Sequence, residues 1–294
     1  MNRKAQRRNL ARNRAERGQI VSATPFFIVS SGRSGTAMLH KALSAMPEVE
    51  SQHEYMVHIV QPLAVRRAMG LAGEAEAQAV LRQTHGAAIH YCERAFWSDS
   101  SNKLSWLIPE LAQLFPDAKF VHLVRDGRKV AGSFFRKLAG ECYDDRSTAI
   151  LRAFMEGRGP APPPEKKYWW PLPRRDDPAA EAFARFNQFE RIAWHWAEIN
   201  RVILNDLVSV PQNRRRFVRL EDLNASPEAV RALYGFLGLS CRDEHAAMFA
   251  RPHNVNRPQD RLLDDDERAR FEAVAGAMME RLGYSSRPEY VVKY

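Results

Sequence analysis

Cysteine is scarce. Cys92, Cys142 and Cys241 stand far apart, are odd in number and form no Cys-x-x-Cys pair. That set excludes a disulfide framework and a thiolate zinc cluster, and it fits free thiols in a reducing compartment. Long apolar runs are absent as well. No stretch reaches the roughly eighteen residues a membrane-spanning helix needs. The N-terminus has basic residues but no apolar segment behind them, so the expectation is no secretory signal and a cytoplasmic location.

Acidic residues are in deficit, with 35 Asp and Glu against 44 Lys and Arg, a net charge of +9. The imbalance is local. Arg3, Lys4, Arg7, Arg8, Arg12, Arg14 and Arg17 face only Glu16, so residues 1–17 carry +6 and the rest of the chain +3. The body therefore lacks the composition of a nucleic-acid-binding surface. Residues 1–22 read as a basic tail or helical extension that could touch anionic surfaces. With 45% apolar and 27% charged residues, the remainder, 23–294, reads as one soluble domain.

Within that domain Phe26 to Val29 is a short buried strand, Ser30 to Gly35 a glycine turn, and Thr36 to Leu43 the start of a helix. This geometry aims several backbone N–H groups and a helix N-terminus at one anion. Arg33 in the turn adds a planar, permanently charged fork. An ordinary β-α turn that needs glycine for its dihedrals would read the same way. Val49 to Gln52 is a second strand, ending in His53 and Glu54. Helices are expected over 57–69 and 74–84. Phe96 to Asp99 is a third strand ending near Lys103, and a helix over 104–115 follows. Lys119 to Val124 is apolar almost throughout, as a parallel strand buried on both faces would be. Arg125 ends it, and residues 129–137 have helical spacing. The alternation predicts an α/β fold, a single domain with a central parallel sheet flanked by helices.

Residues 157–178 hold seven prolines together with Tyr168, Trp169 and Trp170. Such a loop is either a lid or binding loop, its rings stacking on a flat acceptor, or a patch on the core. A long helix is expected over 179–208 and a strand over 216–220. A serine-capped helix starts at Ser226-Pro227 and stops at Gly238, and a final helix runs from Asp264 to Leu282. His122 reads as a core histidine, while His58 and His195 carry no signal.

A Walker A loop needs Gly-x-x-x-x-Gly-Lys-Ser/Thr. Gly32 to Thr36 is shorter, and no lysine precedes Thr36. The strand end at Arg125 is cationic where a metal-binding kinase wants a carboxylate, and Asp126 reads as paired with its arginine neighbours. The site is built to hold anions with protein cations rather than with a metal.

Two segments then carry a family resemblance. Phe27-Ile-Val-Ser-Ser-Gly-Arg-Ser-Gly-Thr-Ala-Met-Leu39 is similar to the 5′-phosphosulfate loop of PAPS-dependent sulfotransferases. Phe115-Pro-Asp-Ala-Lys-Phe-Val-His-Leu-Val-Arg-Asp-Gly-Arg-Lys-Val-Ala-Gly-Ser133 is similar to their 3′-phosphate segment. Weaker matches are Asn102-Lys103, Val218 to Leu223, and Phe236 to Leu239. Together these extend from about 26 to 283 and resemble the bacterial type related to carbohydrate sulfotransferases.

The resemblance implies a P-loop-like sulfotransferase fold. It also implies metal-independent transfer of a sulfuryl group from 3′-phosphoadenosine-5′-phosphosulfate (PAPS) to a small-molecule or carbohydrate acceptor, at a hydroxyl or amine. Carried over, Gly32, Arg33, Ser34, Gly35, Thr36 and Ala37 hold the 5′-phosphosulfate, with Arg33 where many members have lysine. Arg125 and Ser133 hold the 3′-phosphate, and Arg257 is a poorer match for the same role. Lys103 and Arg33 meet the charge that grows on the leaving oxygen. The resemblance favours Glu54 as the base; His53 is nearer its working pKa, whereas Glu54 would need raising by burial. The alternatives are a P-loop small-molecule kinase and a non-enzymatic scaffold acting through the basic tail.

Overall fold

The strand Thr24–Val29 (β1) is central because both faces of it are apolar. Phe26 and Ile28 pack to one side of the sheet, while Phe27 and Val29 pack to the other. In the computed structural model, which describes residues 23–250 and 262–289, four further strands join it. They are Val49–His53 (β2), Phe96–Ser100 (β3), Lys119–Val124 (β4) and Arg215–Arg219 (β5). Their order is β2-β3-β1-β4-β5 and every pairing is parallel. All five carboxyl ends therefore open on one edge, where ligands of open α/β sheets collect.

Helices cover both faces. Thr36–Ser44 (α1) and Pro227–Leu237 (α11) pack on one, with Leu39, Leu43, Leu233 and Leu237 fully buried. Val57–Ala68 (α2), Glu74–Leu81 (α3), Ala87–Tyr91 (α4) and Ile108–Leu114 (α5) lie on the other side. A further apolar cluster is built from Gly127–Lys137 (α6), Asp145–Met155 (α7), Gln188–Asp206 (α9) and Asp265–Arg281 (α13). Short helices at Ala180–Arg185 (α8), Leu220–Ala225 (α10) and Asp243–Ala247 (α12) complete the set described.

The expected single α/β domain with a flanked parallel sheet is what forms, with differences of detail. The helix expected over 179–208 is broken at Asn187, which caps α9 in a reciprocal box with Glu190. The helix expected over 104–115 begins as one 3₁₀ turn, Leu104–Trp106, and restarts at Ile108 ahead of Pro109. Asp144 caps α7, which the periodicity did not reveal. Tyr168, Trp169 and Trp170 are buried in the third cluster, so they patch the core and present no face to an acceptor. Cys92, Cys142 and Cys241 are free thiols. No described helix is long and apolar enough to cross a membrane. Residues 1–22 lie outside those described.

Candidate active site

The turn after β1 is shaped by its glycines. Gly32 and Gly35 take φ of +81° and +92°, where a β-carbon is strained, and Arg33 between them takes +54°. At Gly32 there is no room for a side chain either: a β-carbon would lie 2.9 Å from Asn102 Nδ2 and 3.0 Å from Phe134 Cζ. Serines lock the loop from inside. The Ser30 amide donates to Ser105 Oγ at 3.0 Å, and that hydroxyl returns a bond to Ser30 O at 2.9 Å. The Gly32 amide donates to Ser30 Oγ at 3.1 Å, and Ser34 Oγ donates to Gly32 O at 3.0 Å. Gly35 gives α1 no side-chain cap, so the first amides of that helix face the mouth of the turn without one.

Two guanidinium groups meet there. Arg33 Nε donates to Ser133 Oγ on α6 at 3.0 Å, and Arg125 Nη1 donates to Arg33 O at 3.1 Å. Among the described residues neither forms an ion pair with a carboxylate. Burial, and then the charge of Arg125, push the Arg33 pKa down. Arg125 Nε is buried without a partner. Half-buried cations that repel each other and lack a carboxylate partner among the described residues mark a place for an anion. Asp126 does not supply one: it caps α6 and holds Arg128 through both oxygens, at 3.0 and 2.8 Å. The pairing expected for Asp126 thus forms, with Arg128. Trp196 Nε1 donates to Arg125 O at 3.3 Å and steadies the strand end.

Across the mouth, register does the assembly. β2 and β3 pair Gln52 with Asp99 and His53 with Ser100, so Glu54 and the 100–103 turn emerge side by side. Lys103 Nζ donates to Glu54 Oε1 at 2.8 Å and to Asn102 Oδ1 at 2.7 Å, and lies 5.6 Å from the centre of the Trp170 ring. Lys166, from the proline-rich loop, donates to Glu54 Oε2 at 2.5 Å. Glu54 itself sits at φ +56°, a conformation that costs about 1–3 kcal/mol and is common where a site dictates geometry.

Burial raises the Glu54 pKa, but Lys103 and Lys166 together outweigh burial and bring it down to about 2. A glutamate acting as base would need the opposite shift, a pKa raised by burial. Lys103 is lowered by its own burial, against the pull of Glu54. His53 stands apart from this pair: its Nε2 lies 3.3 Å from Thr36 Oγ1 at the start of α1, and desolvation lowers its pKa.

The structure thus brings Gly32 to Ala37, Arg33, Arg125 and Ser133 to one mouth, with Lys103, Glu54 and His53 on its rim. Arg257 lies outside the described residues. His122 is buried against Asn200 Oδ1 at 2.8 Å, as a core histidine. Sequence reasoning missed Lys166 and His195. His195 Nε2 lies 3.3 Å from Ser31 O, and Nδ1 lies 3.2 Å from Tyr143 Oη, directly behind the turn. No local pattern could have found it, because α9 reaches the turn through tertiary packing alone.

The model of the Sulfotransferase family matches residues 25–156, which span β1 to α7 and include Gly32 to Ala37, His53, Glu54, Lys103, Arg125 and Ser133 but not Lys166, His195 or Arg257. Among curated proteins no match to the chain is found. Among solved structures, the sulfotransferase from Alicyclobacillus acidocaldarius is 16% identical, with 89% of this chain and 95% of that one covered and a TM-score of 0.52. A sulfotransferase from Mycobacterium avium is 12% identical, covering 92% and 81%, with a TM-score of 0.50. At these identities the neighbours speak for the fold. The glycine turn, the strand-end arginine and the matched stretch lie in one continuous unit. Residues 25–156, which carry the glycine turn and the strand-end arginine, match the model of the sulfotransferase family.

Proposed function

We propose that the chain transfers a sulfuryl group from PAPS to an acceptor hydroxyl or amine, on a domain spanning 23–294. The observation that carries this reading is the pair Arg33 and Arg125, two half-buried guanidinium groups at one glycine turn without a carboxylate between them. The residues suit the donor: a side-chain-free cradle at Gly32, an uncapped helix start at Gly35, and an orphaned Nε on Arg125. When bound, PAPS would supply the sulfuryl group and a stable bisphosphate leaving group.

The backbone of Gly32 to Ala37 and the Arg33 fork would hold the 5′-phosphosulfate. Arg125 and Ser133 would hold the 3′-phosphate, and Arg257 is assigned the same role. Lys103 would neutralise the negative charge that develops on the leaving group. Glu54 would be the base on the acceptor side, with His53, whose Nε2 lies 3.3 Å from Thr36 Oγ1, as the alternative. The kinase alternative has no observation in its favour: Gly35, not lysine, precedes Thr36, and the lysine at the rim is committed to Glu54.

Titration calorimetry tests the reading. Without Mg²⁺ the protein should bind 3′-phosphoadenosine-5′-phosphate more tightly than ATP, and Arg125→Ala should weaken that binding about 10- to 100-fold, the range for a hydrogen-bonded charge. Tight Mg-ATP binding with no response to the bisphosphate would refute it.

A further inference from the structure

Glu54 holds a charge arrangement that any base role must undo. Each of its oxygens accepts from an ammonium, Lys103 at 2.8 Å and Lys166 at 2.5 Å. The two lysines differ in how firmly they are placed. Lys103 is buried, has Asn102 Oδ1 as a second acceptor, and has its backbone amide tied to Ser101 Oγ at 3.2 Å. The Lys166 side chain is 51% exposed, and Glu54 is its ion-pair partner among the described residues. Its backbone, in contrast, is pinned. The buried Gln61 side chain donates from Nε2 to Lys166 O at 3.1 Å and to Trp169 O at 2.6 Å. Trp169, Trp170 and Tyr168 then sink into the core beside it. The loop thus fixes where Lys166 starts and leaves its side chain free to swing.

We propose that Lys166 is a specificity-determining residue that selects acceptors carrying a negative charge close to the hydroxyl or amine to be sulfated. The acceptor's anion takes over the Lys166 ammonium, and its hydroxyl takes the vacated place at Glu54 Oε2. This rests on the sulfotransferase reading above. In the transfer, the acceptor oxygen forms the new bond to sulfur and its proton passes to Glu54. The bridging sulfur–oxygen bond breaks, and the bisphosphate leaves with the electron pair. A neutral acceptor would have to break the Lys166–Glu54 pair without replacing it. An anionic acceptor exchanges one partner for another.

Charge around the carboxylate agrees with this assignment. The groups facing Glu54 are Lys103 after β3, Lys166 from the loop and His53 on its own strand. While both ammonium groups are in place, Glu54 is too weak a base to take a proton from a hydroxyl. Lys103 has the second, buried attachment, so Lys166 is the one that can leave.

The test uses intact wild-type protein with Lys166→Ala and Lys166→Glu, labelled PAPS, and acceptor pairs matched except for charge. Glucuronamide with glucuronate, and 2-hydroxyphenylacetamide with 2-hydroxyphenylacetate, are two such pairs. The wild type should prefer the charged member about tenfold in kcat/KM, the low end for a charge-assisted hydrogen bond. Lys166→Ala should lose that preference and Lys166→Glu should reverse it, with thermal midpoints unchanged. A wild-type preference for the neutral member, or a preference that survives Lys166→Ala, overturns the proposal. If no pair is turned over, carbon-13 titration of Glu54 in bisphosphate-loaded protein decides. Glucuronate must raise its pKa in the wild type and not in Lys166→Ala, and no rise in the wild type overturns the proposal. Failure of the wild type to bind the bisphosphate strikes instead at the sulfotransferase reading, so the two failures are distinct.

Discussion

Gly32→Ala puts the cradle under a direct physical load. At φ +81° an alanine pays about 1–2 kcal/mol for the left-handed backbone. Its β-carbon then meets Asn102 Nδ2 at 2.9 Å, closer than carbon tolerates, and Phe134 Cζ at 3.0 Å, where the ring must give by a few tenths of an ångström. Overpacking of that kind costs a further 1–3 kcal/mol or so. Neither neighbour can retreat freely, because Asn102 holds Lys103 Nζ at 2.7 Å and Phe134 packs edge-on against Trp170. The sum, about 2–5 kcal/mol, corresponds to a fall of roughly 3–9 °C in thermal midpoint for a domain of this size. The control is Gly140→Ala, where a β-carbon meets nothing within 4 Å and φ is not positive; it should move the midpoint by no more than about 2 °C. Differential scanning fluorimetry reads both, and calorimetry with the bisphosphate reads the cradle. Binding should weaken at least tenfold, since any relief of the clash displaces the amides that face the ligand. A variant with wild-type midpoint and wild-type affinity would refute the account of the turn.

Two further outcomes follow from the rim. Lys103→Ala should lower turnover about 10²–10³-fold, the usual consequence of removing a donor aimed at developing charge, with bisphosphate affinity much less affected; equal losses in both would deny it that role. Glu54→Gln should destabilise the fold near neutral pH by leaving the buried Lys103 charge without its counter-ion. Because the folded Glu54 pKa is depressed to about 2, its contribution is complete above the ordinary glutamate pKa of about 4.3 and is lost as pH falls through the folded value. The stability gap between wild type and Glu54→Gln should therefore close between about pH 4.5 and 2, as acid unfolding profiles would show; a gap constant across that window would contradict the ion pair.

The parts of the site readable in the sequence are those whose chemistry is contiguous. Gly32, Arg33 and Gly35 sit within four residues of each other, and their backbone needs are local. Arg125 ends a strand whose apolar run is unmistakable, and Ser133 follows on α6, where it reaches Arg33. Glu54, Lys103 and Lys166 are a different matter. Each could be suspected alone, but their pairing arises from the register of β2 on β3 and from a loop that returns across the sheet edge. That pairing reverses the sign of the Glu54 shift expected from burial. The loop aromatics were ambiguous for a related reason. Prolines exclude regular structure without saying which way the chain turns, and here Gln61 draws Lys166 to Trp169 inward. The break at Asn187 shows the same limit, since an apolar stripe continues through it while a capping box restarts the helix.

Gly35 carries a consequence for energetics. Asp126, Asp144, Asn187, Ser226 and Asp264 each lend a side-chain oxygen to the helix they begin, a contribution of about 1 kcal/mol apiece. α1 has no such oxygen of its own. An anion in the cradle would fill that role from outside, so occupancy and the order of the first turn of α1 become one linked equilibrium. An anion bound there would make the cap of one helix a ligand, and the stability of that helix start would then rise with the ligand's concentration.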